Sequence, residues 1–220
     1  MLLNVLPSLL QGTLVTLQVF FATLILSLPL ACLLQALQQF GGKPVRRLFQ
    51  LYVTLMRGTP LLLQLMFVFF GMPYLGVTLS RESSILIAFV LNYTAYFLEI
   101  LRGSLSAVDP GQQEAGRMLG FSRAAIYFRI LLPQAFRTAM PSIGNEVLNL
   151  VKDTSLIYVL GATDLLKAGR AAVNTYATAL PFVAVGAIYL ALCGGMALIM
   201  KRIERHLDKG TGGVRNESDC

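Results

Sequence analysis

Charge is what this chain has least of. Of its 220 residues only 13% are Asp, Glu, Lys or Arg, and mean hydropathy is +0.67, whereas a soluble domain carries roughly 25% charged residues. These values exclude both disorder and an ordinary soluble fold. Tryptophan is absent, and Cys32, Cys193 and Cys220 stand far apart, without disulfide or metal-ligand spacing. The lone His206 sits among Lys201, Arg202, Glu204 and Arg205 and reads as part of a solvated basic tail. Lys209-Gly210-Thr211 lacks the earlier glycine and the strand–helix setting of a phosphate-binding loop. No catalytic triad is evident, and the chain is expected not to be an enzyme.

What remains is long apolar runs. Lys43 is the first charged residue, and 12–34 alone is long enough to cross a hydrocarbon core of about 20 helical residues. Spans are expected near 12–37, 61–79, 84–102, 138–156 and 180–200, making an all-α polytopic membrane protein of five transmembrane helices. The first is no secretory signal, because it is too long and its positive charges follow rather than precede it. Residues 1–10 are expected to be interfacial, and 210–220 to form a flexible tail.

Net charge is +7, and its placement points to membrane topology rather than nucleic acid. Lysines and arginines gather in 41–58, in 102–137 and after 200, whereas Arg81, Lys167 and Arg170 stand opposite. By the positive-inside rule the N-terminus is outside and the C-terminus cytoplasmic.

Helix punctuation is dense at Arg57-Gly58-Thr59-Pro60, where Gly suits a C-terminal cap, Thr an N-cap and Pro the first helical position. Two helices are expected to meet there, one over about 45–56 near the cytoplasmic face and a second that crosses. Either a simple turn or a gate or hinge fits.

The loop 104–136 is the most specific region. Pro110 can start a short helix and Gly120 can end it in the left-handed conformation; Ser122 can cap a second, which runs until Pro133. Such a unit either transmits force from a cytoplasmic partner or lies on the membrane as an amphipathic connector.

Glu114-Ala115, Gly120, Ile130, Leu132 and Pro133 resemble, in type and spacing, the EAA loop of ABC-importer membrane subunits. Gly116 replaces the family's usual second alanine. Arg57-Gly58-Thr59-Pro60-Leu61, the run from Tyr96 to Gly103, Gly144-Asn145-Glu146 and Lys152-Asp153-Thr154-Ser155-Leu156 narrow the resemblance to polar amino-acid permeases. The resemblance implies the permease fold of type I importers, a transmembrane domain over 1–209, and a loop that forms a coupling helix on an ATPase. It also implies two ATPase subunits that bind ATP and Mg, a second permease chain, identical or homologous, and an external solute-binding protein. The location implied is the bacterial inner membrane, in contact with lipid.

Polar residues within the spans concentrate in two places. Asn92, Tyr96 and Glu99 share one helical face; Ser142, Asn145, Glu146, Asn149, Lys152 and Asp153 form a broader stripe. Glu146 lies roughly 13 Å beyond Arg137 and Asn92 roughly 12 Å from Ser84, both near mid-membrane, where a charge must face protein or a cavity. Glu146, Asn145, Asn149, Asn92 and Tyr96 are therefore candidates for a substrate pathway, with helix–helix glue as the alternative for the polar side chains. Glu99 has Arg102 at i+3 and is expected to be structural. Lys152 and Asp153 are candidates for a structural pair near the outer end, and 163–170 for a short capped helix over the outer mouth.

The leading expectation is an importer permease for polar amino acids, with basic ones an open case. An ATPase-independent secondary transporter or channel is the alternative, and a docking loop is what it would not need.

Overall fold

The computed structural model describes residues 2–208; the expected tail and Cys220 lie outside them. No strand occurs among the described residues. Helix α1 (Leu2–Phe40) leads to α2 (Lys43–Gly58), α3 (Leu61–Met66) and α4 (Arg81–Ser106), then to the short α5 (Pro110–Met118) and α6 (Arg123–Ile126). Helices α7 (Leu132–Asp153), α8 (Leu165–Tyr176) and α9 (Leu180–Asp208) follow.

Helices α1, α4 and α9 are each long and apolar enough to cross a membrane. The expected span at 61–79 is instead part of a broken unit: α2 and the helical stretch Leu61–Leu75 bend by 102°. The expected span at 138–156 falls in α7, where Arg137, Glu146, Lys152 and Asp153 make the helix too polar to read as membrane-crossing from length and apolarity alone. Helix α1 is one element from Leu2, so residues 2–10 are its first turns.

The α1–α4 pair is the frame. Thr16, Phe20, Thr23, Ser27 and Ala31 recur at helical spacing on α1, and all are buried to 1% exposure or less. Small and hydroxylated residues on this stripe let the backbones approach, as close packing inside a bilayer requires; Thr94 Oγ1 donates to Ser27 O at 3.4 Å. On α4, Phe89, Tyr93, Phe97, Leu98 and Leu101 fill the same core. The opposite side of α1 shows Leu14, Ile25 and Leu33 more than half exposed, apolar surface suited to lipid.

Helix α2 covers the helix expected over about 45–56 and meets α3 at the expected break. Arg46 Nε donates to Gln38 O near its start, and near its end Tyr52 Oη and Asn92 Nδ2 donate to Leu91 O and Met56 O. Asn92 is close to the middle of α4, so α2 runs alongside the second half of α4 and breaks midway along it. The reason is hydrogen bonding, since a helix that ends there requires donors for its last carbonyls.

A second cluster, Val5, Leu9, Leu165, Ala168, Ala172 and Val185, packs α8 between α1 and α9. Asp164 caps α8, accepting from Lys167 N at 3.0 Å and Leu166 N at 3.2 Å, in line with the capped helix expected at 163–170. A methyl carbon on Gly12 would lie 2.7 Å from the Asp164 carbonyl oxygen, so only glycine permits this contact. Gly12→Val is expected to destabilise the protein by about 1–3 kcal/mol through overpacking, measured as a fall in the thermal-unfolding midpoint of the detergent-purified chain; an unchanged midpoint contradicts the packing.

Candidate functional site

A cavity of about 620 Å³ opens where α2 breaks. Arg57, Gly58, Thr59 and Pro60 form one wall; Asn92, Tyr93 and Tyr96 of α4 form another; Glu146, Asn149 and Asp153 of α7 close it. Four of the five pathway candidates and all four residues of the gate or hinge candidate thus surround one space. Asn145 does not, being exposed on another face of α7.

The break differs in detail from its sequence reading. Thr59 is extended (φ −123°, ψ 147°), as a residue before proline must be, and its hydroxyl donates back to Leu55 O at 2.8 Å. It therefore ends α2 rather than capping α3, and Pro60 takes the N-cap position. Gln64 Nε2 donates to Met56 O at 2.9 Å and to Thr59 Oγ1 at 2.7 Å, while Asn92 Nδ2 donates to Met56 O at 3.1 Å and Gln64 Oε1 at 3.0 Å. Asn92, only 3% exposed, has its amide donors engaged by the break while it also lines the cavity. Gln64 carries no charge and sits in an apolar run, which hid it from the sequence analysis.

Charges are arranged in layers. Arg102 binds Glu99 in a fork at 2.8 and 2.7 Å, as the i+3 spacing implied. Arg57 Nη1 lies 3.7 Å from the same carboxylate, and its guanidinium stands 5.2 Å from the Tyr96 ring centroid. Glu99 and Tyr96 thus hold a cation at the cavity wall. Across the space Tyr93 Oη donates to Asp153 at 2.7 Å, and Asn149 Nδ2 reaches Glu146 at 3.4 Å. Asp153 thus has its neighbour Tyr93 of α4 as partner. The i, i+3, i+7 spacing of Glu146, Asn149 and Asp153 was the signal that places it on the cavity face. One cation facing two carboxylates across a cavity can hold a zwitterion by both ends, each charge receiving the counterpart that burial demands.

The loop at the far end of α7 follows its sequence reading closely. Asp109 Oδ1 accepts from Gly111 N at 2.8 Å, Pro110 opens α5, and Ser122 Oγ accepts from Ala125 N at 3.2 Å. Gly120 is left-handed (φ +78°), and Phe121 N→Gly116 O with Gly120 N→Arg117 O, both 3.0 Å, form a Schellman ending. A methyl carbon on Gly116 would lie 2.9 Å from Ile126 Cγ1, so the glycine found in place of alanine brings the two short helices into contact. Glu114, Ala115, Met118 and Leu119 are exposed, while Ile130 and Leu132 are half-buried.

Pro133 does not end the second helix. A π-turn over Tyr127–Leu131, with Leu132 N bonded to Tyr127 O, joins α6 to α7, and Pro133 falls at its exit, where the ring's missing N–H is absorbed by the altered register. Residues 123–153 are therefore helical without interruption from the loop to Glu146 and Asp153, with Pro141 inside α7.

Residues 27–209 match the family described as binding-protein-dependent transport system inner membrane component. The chain belongs to this family. It is 35% identical to the L-cystine transport system permease protein TcyB of Bacillus subtilis, over 92% of this chain and 88% of that protein. It is equally identical to the arginine transport system permease protein ArtQ of the same organism, over 91% and 93%. A crystal structure of an amino acid ABC transporter with histidines aligns with TM-score 0.86 and 27% identity, covering 93% of this chain and 96% of that one. The MetNI methionine transporter, at TM-score 0.69 and 17% identity, shares the fold. The protein is thus a non-catalytic permease subunit and a multi-pass inner-membrane protein. Membership implies ATPase partners, which bind the nucleotide, and a partner permease.

Asn92→Leu is expected to leave the Met56 carbonyl short of one donor and to cost about 1–3 kcal/mol, read as a lower unfolding midpoint of the purified chain. A midpoint equal to wild type would show that the break does not depend on this amide.

Proposed function

We propose that this permease moves polar amino acids into the cytoplasm through the cavity at the α2 break. The observation that carries the proposal is the opposition of Arg57 to Glu146 and Asp153 across that space. Arg57 receives the α-carboxylate, and Glu146, with Asn149 beside it, receives an ammonium group. Asp153 supplies a second anion, so a substrate with a cationic side chain engages both carboxylates. The relatives named for cystine and arginine transport support the amino-acid class.

The loop 104–136 docks on the ATPase through Glu114 to Gly120 with the exposed Met118 and Leu119, and the rod 123–153 carries its displacement to Glu146. ATP and Mg belong to that partner. Five spans are counted when the α2–α3 unit and α7 are each taken as one, within a transmembrane domain of 1–209. Half a pathway per chain calls for a second permease chain about a two-fold or pseudo-two-fold axis, with two ATPase subunits beneath and a solute-binding protein outside. The α8 side faces out, and the C-terminus faces the cytoplasm, as the positive-inside distribution supports.

Glu146→Gln, reconstituted in liposomes with the full complex, is expected to lose uptake. Loss confined to arginine, lysine and histidine assigns Glu146 to the side chain, and equal loss for glutamine assigns it to the α-amino group; wild-type uptake of every amino acid contradicts the site. Gly120→Val, strained at its left-handed position, is expected to insert normally but lose ATP-driven uptake; normal uptake contradicts docking through this loop. A cysteine at Asn4 is expected to react with impermeant reagents from outside, and labelling only from the cytoplasm would reverse the topology.

A further inference from the structure

A second cavity, of about 300 Å³, lies beneath the break, between the end of α1, the start of α2 and the two loop helices. Arg46, Arg117 and Arg123 line it together with Gln39, Phe40 and Tyr127, and no carboxylate does. Among the described residues neither Arg117 nor Arg123 forms an ion pair, and the Tyr127 hydroxyl is buried without a hydrogen-bond partner. Three guanidinium groups around one concave space sum to a strong positive potential, and their planar donor arrays match phosphate oxygens.

The rim of this cavity is apolar on one side. Leu33, Leu37 and Phe40 form an i, i+4, i+7 stripe on α1, each at least half exposed, and Phe128, also half exposed, stacks on Phe40 at 6.1 Å. Helix α1 is long and apolar enough to span a membrane, so this stripe leads from hydrocarbon depth down to the arginines. A phosphate at the cavity and an acyl chain on the stripe are held by one molecule.

We propose that this cavity binds the phosphodiester headgroup of an anionic phospholipid, with its acyl chain along Leu33, Leu37 and Phe40. The inference rests on the proposed topology only for the leaflet, which is then the cytoplasmic one. Bound there, the lipid bridges α1 and α2 to the base of the 123–153 rod, so leaflet charge sets the stability of the loop's seat.

The test is native mass spectrometry of the complete importer complex in detergent, given phosphatidylglycerol or phosphatidylcholine. Wild type is expected to retain phosphatidylglycerol preferentially. Arg46→Gln and Arg123→Gln should each lower that preference about fivefold, the share of one surface cation, whereas Arg47→Gln and Arg129→Gln, outside the cavity, should leave it intact. A photoactivatable phosphatidylglycerol should label wild-type peptides within 33–47 or 113–131, which needs no variant to fold. Equal loss in all four variants would reduce the effect to bulk surface charge, and competition by millimolar glycerol phosphate would make the site one for a free anion. Equal retention of both lipids would leave the arginines to carboxylates of the ATPase. Each of these three results overturns the proposal. The detergent measurement is blind to orientation, so it fails or succeeds independently of the labelling at Asn4.

Discussion

A helix that stops inside a bilayer must find donors for its final carbonyls, and in this protein that constraint organises the functional region. The unpaired carbonyls at the end of α2 are met by Thr59, Gln64 and Asn92. Inside a bilayer a group met neither by protein nor by a water-filled cavity would cost several kcal/mol. With the donors supplied from α3 and α4, the chain can bend by 102° and leave a cavity where a straight helix would have filled the space. Arg57 is placed at that bend, and the Glu99 carboxylate with the Tyr96 ring holds it to the wall.

The second dependence is mechanical. Helix α7 carries the carboxylates of the cavity, and the π-turn over Tyr127–Leu131 makes it continuous with the loop that bears Glu114 and Gly120. A hinge at Pro133 would have separated the two regions. A π-turn keeps the helix unbroken while relieving the proline, and Pro141 is a second proline that α7 carries between the loop and Glu146. Packing of Gly116 against Ile126 ties the first loop helix to the same rod.

Much of this was legible because it is written in local chemistry. Asp109, Pro110, Gly120 and Ser122 are turn and cap residues whose roles depend on neighbours only a few positions away, and they fold as their types dictate. The meeting of Asn92 and Glu146 was legible only as a depth match, since spacing along a helix gives height but not facing, and Arg57 was read only as part of the helix break. Facing is what moved Asn145 out of the cavity and brought Asp153 into it. The path of α2 along α4 was not legible at all, because it is decided by carbonyls, and every residue has one. Pro133 misled for a related reason: its type signals a break, whereas the register shift that accommodates it leaves no mark in sequence.

The account stands on the 123–153 rod moving as a unit relative to the α2 break. Spin labels at Ala124 and Asn149, within the rod, and at Asn149 and Gly58, across the cavity, measure this in the full complex with and without ATP. The rod pair is expected to hold its separation of roughly 40 Å while the cavity pair shifts. A rod distance that changes with nucleotide while the cavity distance stays fixed would contradict coupling through α7.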